Sequence, residues 1–202
     1  VIKYGAFFLA VLLPGVFVSI AEYTPELFPP QLLYKIAAAE AATPLPLFLE
    51  MVLVIVLLEI VREAGLRLPR PIGHSVSLVA AIIVGDAAVK AGILSTPIVI
   101  TAALTTISMF VIPSLYEPAT VLRILFVFAG GLFGPFGILT LFFIMLTSIC
   151  GMNSFGLPYT APLIPWTNGA VRDGVLRTNW RRLARQPFSV NDLPGGDPHG
   201  TE

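Results

Sequence analysis

The sequence predicts an all-α polytopic membrane protein, and three observations lead to this class. Of its 202 residues, 56% are hydrophobic and only 12% are charged, and the mean hydropathy is +0.87. Soluble domains carry about 25% charged residues, so a soluble or disordered chain is excluded. Uncharged runs occupy residues 4–21, 72–85, 91–116 and 124–171. Backbone groups must pair inside lipid, and the alternating pattern of a membrane barrel is missing, so these runs are predicted to be helices.

Uncharged runs and prolines set the bounds of the first predicted helices. Residues 4–20 form a first span, in which Pro14 removes one helix hydrogen bond and favours a kink. A polar, proline-rich stretch follows, and within it a short surface helix is expected over residues 31–42. Residues 45–64 form the next helix, which is apolar apart from Glu50, Glu59, Arg62 and Glu63.

Proline and glycine bound the remaining elements. Pro69 and Pro71 break the chain before a helix over residues 74–94, and a Ser-Thr-Pro turn opens another over residues 97–112. A long apolar segment over residues 122–150 comes last. Its interior carries five helix breakers, which predict a broken helix: Gly130, Gly131, Gly134, Pro135 and Gly137.

The topology follows from the rule that short basic segments stay in the cytoplasm. Lys3, the basic residues 62–70 and the arginine-rich residues 172–185 are all placed inside, whereas the acidic residues 22–40 are placed outside. Four crossings satisfy these assignments, and the segment 122–150 then enters and leaves on one side as a re-entrant hairpin. In the alternative, this segment crosses once and residues 45–61 lie in the interface.

The same reasoning divides the chain into two parts. Residues 1–171 are predicted to form a transmembrane domain embedded in the lipid bilayer. Residues 172–202 are predicted to form a cytoplasmic basic tail with a disordered, Gly/Pro-rich end.

Charged residues inside the spans are the first candidates for function, because they are costly in a membrane. Asp86 and Lys90 are four residues apart on one helix face, so they are expected either to pair or to face an ion path or a second subunit. Glu50 and Glu59 are nine residues apart and point to opposite sides. Glu50 is therefore either an interfacial carboxylate or a cation-attracting vestibule charge, while Glu59 shares a face with Arg62 and Glu63.

A row of hydroxyls on the 97–112 helix is the second candidate. Thr101, Thr105 and Ser108 lie along one face, and Ile112 continues it as a possible hydrophobic constriction. Such a face suits an ion path, where hydroxyls are replaceable ligands. It equally suits helix packing, with each hydroxyl bonded back to its own helix.

The sequence gives no indication of an enzyme, a metal site or a cofactor. Nucleotide-binding loops and zinc motifs are missing, and His74 and His199 are isolated. Neither Ser148 nor Cys150 has a nearby histidine for nucleophilic catalysis. The net charge is zero, which argues against a nucleic-acid partner.

Three motifs in order carry a family resemblance. They are REAGLRLPRPIG at residues 62–73, DAAVKAGILSTPIVITAALTTISMFVIPS at 86–114 and SFGLPYTAPLIPW at 154–166. Together they resemble the A subunit of the GerA-type spore germination receptors of endospore-forming bacteria. Members of that family carry a cytoplasmic N-terminal domain before these spans. This sequence has no initiator Met and is expected to be the later part of a longer protein.

The resemblance implies a place in the spore inner membrane and an assembly with a transporter-like B subunit and a lipoprotein C subunit. It also implies a homo-oligomeric, pentameric ion channel that is gated by nutrient and releases monovalent cations. A secondary transporter and a non-conducting scaffold subunit are the alternatives. The sequence departs from the family pattern at His74, Asp86 and Lys90, where relatives commonly carry Gln or Glu.

Overall fold

The fold is helical, as the sequence predicts. A computed structural model describes residues 2–67, 70–154 and 157–158. These residues contain six α-helices and two short 3-10 helices, Pro25–Leu27 and Pro113–Leu115. The α-helices are α1 (Ile2–Tyr23), α2 (Pro30–Glu40), α3 (Leu47–Leu66), α4 (Arg70–Lys90), α5 (Thr96–Phe110) and α6 (Tyr116–Gly151).

Prolines set several of the helix starts. Pro30 opens α2 and Pro97 lies in the first turn of α5, where the missing N–H of proline has no partner to lose. For the same reason α4 begins at Arg70 and includes Pro71, earlier than the predicted start at residue 74. It ends at Lys90, shortly before Gly92 with its positive φ of 68°, so the predicted end at residue 94 is too late.

The chain divides into two compact units, Ile2–Met145 and Leu146–Glu202, with Val1 assigned to the second. The described residues of the second unit are the last turns of α6 and the two-residue strands Asn153–Ser154 and Leu157–Pro158, which pair antiparallel. The predicted boundary between residues 171 and 172 and the basic tail lie outside the described residues, as does most of the motif at 154–166.

The hydrophobic core of the first unit is built around α3. Leu47, Met51 and Val54 of this helix are almost completely buried, and they pack in one cluster with Ile98 of α5 and Val127 of α6. Val18 of α1 and Ile36 of α2 join the same cluster. This core fixes where α3 and α5 place their polar side chains.

Helices α1 and α6 cross at two glycines. A Cβ atom added at Gly15 would lie 2.5 Å from the carbonyl oxygen of Phe126, and one added at Gly130 would lie 2.5 Å from the carbonyl oxygen of Gly15. The backbones therefore touch directly, which is how small residues allow membrane helices to approach.

The long helix α6 is broken at Gly134, as the glycine cluster predicts. Gly134 has φ 62° and ψ −150°, a conformation open to glycine but not to other residues. The chain reverses there, since a Cβ atom at Gly137 would collide with Ala129. The hydroxyl of Tyr23 lies 3.0 Å from the carbonyl oxygens of both Gly131 and Leu132 and donates to them at the break.

Two of the described helical segments are long and apolar enough to cross a membrane by length and composition, Ile2–Tyr23 and Pro113–Gly151. Helix α5 is apolar but shorter, and α3 carries four charged residues. The four-crossing topology and the re-entrant placement of the α6 hairpin stay predictions.

Candidate functional site

A large groove is present in the first unit. It has a volume of about 1080 Å³ and lies between α3, α4, α5 and the start of α6. Most of its wall is apolar, and it includes Val54 and Val61 of α3, Ile82 of α4, and Ala103 and Met109 of α5. We call it the α3–α5 groove.

One end of the groove is polar and carries charge. Arg62 Nε donates to Glu59 Oε1 at 3.0 Å, and its guanidinium lies 4.1 Å from the centre of the Tyr116 ring. Arg123 Nη2 and the Tyr116 hydroxyl each lie 3.5 Å from Glu59 Oε2. Arg62, Tyr116 and Arg123 all line the groove. We call these four residues the Glu59 cluster.

The unusual member of this cluster is Arg123, which is only 3% exposed. A buried guanidinium is costly unless it is paired and fully hydrogen-bonded. Glu59 provides the pairing, but Arg123 Nε has no hydrogen-bond partner among the described residues. Arg123 is not among the residues that the sequence pattern predicted to be functional, because it stands at the very start of the predicted apolar segment 122–150. In the structure α6 begins earlier, at Tyr116, and Arg123 lies about two turns inside it, where a charged residue is rare without a functional or structural reason.

Glu50 is completely buried in the single chain, with 0% of its surface exposed. The interfacial role and the vestibule role of this carboxylate stay predictions. Its Oε2 accepts a hydrogen bond of 2.8 Å from the backbone N–H of Ser95, the residue that caps the start of α5. A carboxylate at a helix N-terminus is stabilised by the unpaired N–H groups and the helix dipole.

Glu22 of α1 repeats this arrangement two helices earlier. Its Oε1 accepts a hydrogen bond of 2.9 Å from the backbone N–H of Phe48, in the first turn of α3. Periodicity within one helix cannot reveal such caps, because donor and acceptor lie far apart in sequence.

Substitution of Glu50 separates its charge from its hydrogen bond. Glu50→Gln keeps an acceptor oxygen for Ser95 and should lower the free energy of unfolding only slightly. Glu50→Ala leaves a buried N–H unpaired and should cost about 1–3 kcal/mol, in addition to the cavity it creates. Thermal unfolding of the full-length protein in detergent measures both. Equal losses in the two variants would show that the charge of Glu50 matters more than the cap.

The other predicted charges behave as the spacing indicates. Asp86 Oδ2 and Lys90 Nζ pair at 2.6 Å, which confirms the expected ion pair. Their side chains are 59% and 75% exposed, so the pair contributes little stability in water. Glu59 pairs with Arg62 as expected from their shared face.

The hydroxyl face of α5 points into the first unit. Thr101 and Thr105 are buried, Ser108 is half-buried and Ile112 is 4% exposed. Each of the three hydroxyls donates to the carbonyl four residues earlier in α5, at 2.9, 2.7 and 2.8 Å in chain order. This is the bonding that the packing alternative describes. The ion path along this face stays a prediction.

Metal binding finds no support in the part of the chain that the structure describes, where no group of three or more His, Cys, Asp or Glu side chains could hold an ion.

Comparisons with known proteins identify the family. The sequence model of the Bacillus/Clostridium GerA spore germination protein matches residues 1–189. Spore germination protein KA of Bacillus subtilis (strain 168) is 37% identical over 193 residues, which cover 95% of this chain and 36% of the relative. Spore germination protein GerLA of Bacillus cereus is 37% identical over 167 residues, 81% of this chain and 34% of the relative.

A relative of lower identity has a similar name. Spore germination protein A1 of Bacillus subtilis (strain 168) is 30% identical over 193 residues, 95% of this chain and 39% of the relative. The chain thus spans a little over a third of the length of the curated relatives it matches. No solved structure matches it. With a family match over nearly all of its length, the chain belongs to the GerA family of spore germination proteins.

Proposed function

We propose that this chain is the membrane region of a germinant receptor A subunit in an endospore-forming bacterium. The observation that carries the proposal is the family match over residues 1–189, a region rich in apolar helices. The role is non-catalytic. The subunit resides in the spore inner membrane and assembles with a transporter-like B subunit and a lipoprotein C subunit.

We further propose that the subunit forms a homo-oligomeric, pentameric channel that opens in response to nutrient and releases monovalent cations. One feature supports an oligomer. Large apolar side chains on α5 are exposed in the single chain, among them Ile100, Leu104, Ile107 and Phe110. Lipid or neighbouring subunits must cover such a surface.

The test uses spores of the source organism and the full-length protein. Spores without the gene should fail to release monovalent cations on addition of the cognate nutrient, and the intact gene should restore release. Purified full-length protein in planar bilayers should show unitary conductance steps. Saturable flux without such steps would indicate the secondary transporter, and restored germination without any flux would indicate the scaffold. Normal cation release from deletion spores on every nutrient tested would contradict the receptor role.

The proposed ion path follows Thr101, Thr105 and Ser108 of α5 and then Ile112, which lies two residues beyond the end of that helix. These side chains are enclosed in the single chain, so conduction requires water to reach this face when the receptor opens. A constriction of apolar side chains blocks ions by staying dry, and its barrier depends on width and polarity. Ile112 is the apolar side chain that follows the row of hydroxyls, so we place the constriction there.

Ile112→Ser should therefore produce spores that leak cations and germinate without nutrient. It also removes a buried side chain, so some loss of subunit abundance is expected. Met109→Ala is the matched control, because Met109 is equally buried but lines the α3–α5 groove. Leak per subunit and abundance are measured for both variants. Quiescent Ile112→Ser spores with normal abundance would remove this face from the ion path.

A further inference from the structure

We propose that the α3–α5 groove binds an anionic phospholipid, with the phosphate at Arg123 and an acyl chain along the apolar wall. The proposal rests on the membrane insertion proposed above, and it assigns a ligand to a part of the chain that the channel role does not use.

The strongest reason is the unfinished hydrogen bonding of Arg123. Arg123 is only 3% exposed, and it lines the groove. Its Nε atom lacks a hydrogen-bond partner among the described residues. An unpaired buried donor of a charged group is costly. The Nε atom is closed off in the single chain, so lipid entry has to shift the neighbouring side chains. A phosphate oxygen beside Nε then supplies the missing acceptor, and guanidinium groups bind phosphate strongly through charge-assisted hydrogen bonds.

The charge at this end also favours an anion. Glu59 is one carboxylate shared between two guanidinium groups, those of Arg62 and Arg123. The three groups together carry an excess positive charge. Two further carboxylates, Glu117 and Asp86, line the groove. Glu117 is exposed on the first turn of α6, where solvent screens its charge, and Asp86 is paired with Lys90.

The rest of the groove favours a lipid over free phosphate. Its wall continues from the Glu59 cluster along α3 and α5 to Leu94 and Val99, and it is mainly aliphatic. On the α4 side the wall includes Ile82 and Val84, both of which remain exposed. An inorganic ion would leave this apolar length unused, whereas an acyl chain covers it.

The position of the polar end agrees with a headgroup. Arg62 lies in the last turns of α3 and Tyr116 opens α6, next to the basic segment 62–70 that is predicted to be cytoplasmic. Basic pockets between helices on the cytoplasmic side bind anionic lipid headgroups. The Glu59 cluster therefore lies at the depth where a phosphate is available.

The test separates the acyl chain from the headgroup. Ala103→Phe fills the groove from α5 without changing any charge, and Leu104→Phe is its control, because Leu104 is 52% exposed and is not among the groove residues. Arg123→Gln removes the phosphate partner. Full-length protein is purified from membranes, and retained phosphatidylglycerol is quantified by mass spectrometry. The melting temperature is compared in nanodiscs of phosphatidylglycerol and of phosphatidylcholine.

Wild-type protein and Leu104→Phe should retain phosphatidylglycerol and melt at higher temperature in the anionic nanodiscs. Ala103→Phe should lose most of the retained lipid, and Arg123→Gln should bind phosphatidylglycerol roughly tenfold more weakly. Equal retention in wild-type and Ala103→Phe protein overturns the groove assignment, and equal retention of phosphatidylcholine overturns the headgroup assignment. A change of oligomeric state in Ala103→Phe with unchanged lipid shows that a second copy fills the groove, which also overturns the proposal. Failure of the protein to fractionate with membranes would instead contradict the proposed function.

Discussion

Gly15→Ala is expected to destabilise the fold severely, while Gly5→Ala on the same helix is expected to be harmless. The added methyl at position 15 would lie 2.5 Å from the carbonyl oxygen of Phe126 and 2.7 Å from its carbonyl carbon. Backbone atoms cannot turn aside as a flexible side chain can, so α1 and α6 must separate. We expect a loss of about 3 kcal/mol or more, at the upper end of the usual range for overpacking.

Gly5 provides the matched control, because a Cβ atom there has nothing within 4 Å. Gly5→Ala should gain about 0.5–1 kcal/mol from helix propensity. Thermal unfolding of both full-length variants in one detergent makes the comparison. Similar melting temperatures for the two variants would show that the helices do not cross at Gly15.

The second large effect is expected from Glu59→Gln. This substitution keeps the shape of the side chain but removes the counter-charge that the protein itself provides to the buried Arg123, and it leaves two neighbouring guanidinium groups unbalanced. Breaking a buried ion pair from one side usually costs about 3–5 kcal/mol. Glu59 is 26% exposed, which lets solvent screen the remaining charges, so we expect about 3 kcal/mol.

Glu63→Gln is the control for this prediction. Glu63 pairs with Arg67 at 3.2 Å on the same helix, but the two side chains are 52% and 79% exposed. Its loss should cost about 0–1 kcal/mol. Chemical denaturation of both variants gives the difference, and equal costs would mean that Arg123 is hydrated in the folded protein.

The sequence predicted most of the local structure. Charge-free runs bounded by proline located the helices, because apolar length and missing N–H groups act within one segment. The glycine cluster predicted the break in α6, and four-residue spacing predicted the pair of Asp86 with Lys90. Each of these features depends on residues that are close together along the chain.

Features that depend on packing between distant segments could not be predicted. Spacing within α3 placed Glu50 and Glu59 on opposite faces, but it could not show that the backbone N–H of Ser95 would donate to Glu50. The burial of Arg123 depends on the approach of α6 to α3. The hydroxyl face of α5 was compatible with an ion path and with helix packing. Thr101 and Thr105 are buried by residues of other helices, which the spacing within α5 could not predict.

The carboxylate caps bear on how the chain is made. Glu22 at the end of α1 accepts a backbone hydrogen bond from the first turn of α3, and Glu50 in α3 accepts one from the start of α5. In both cases the acceptor is synthesised before the donor it serves. Because the N-terminal segments are synthesised first, α3 and α5 each emerge after the carboxylate that accepts a hydrogen bond from the start of the helix. For these two helices the order of translation matches the order in which acceptor and donor are needed.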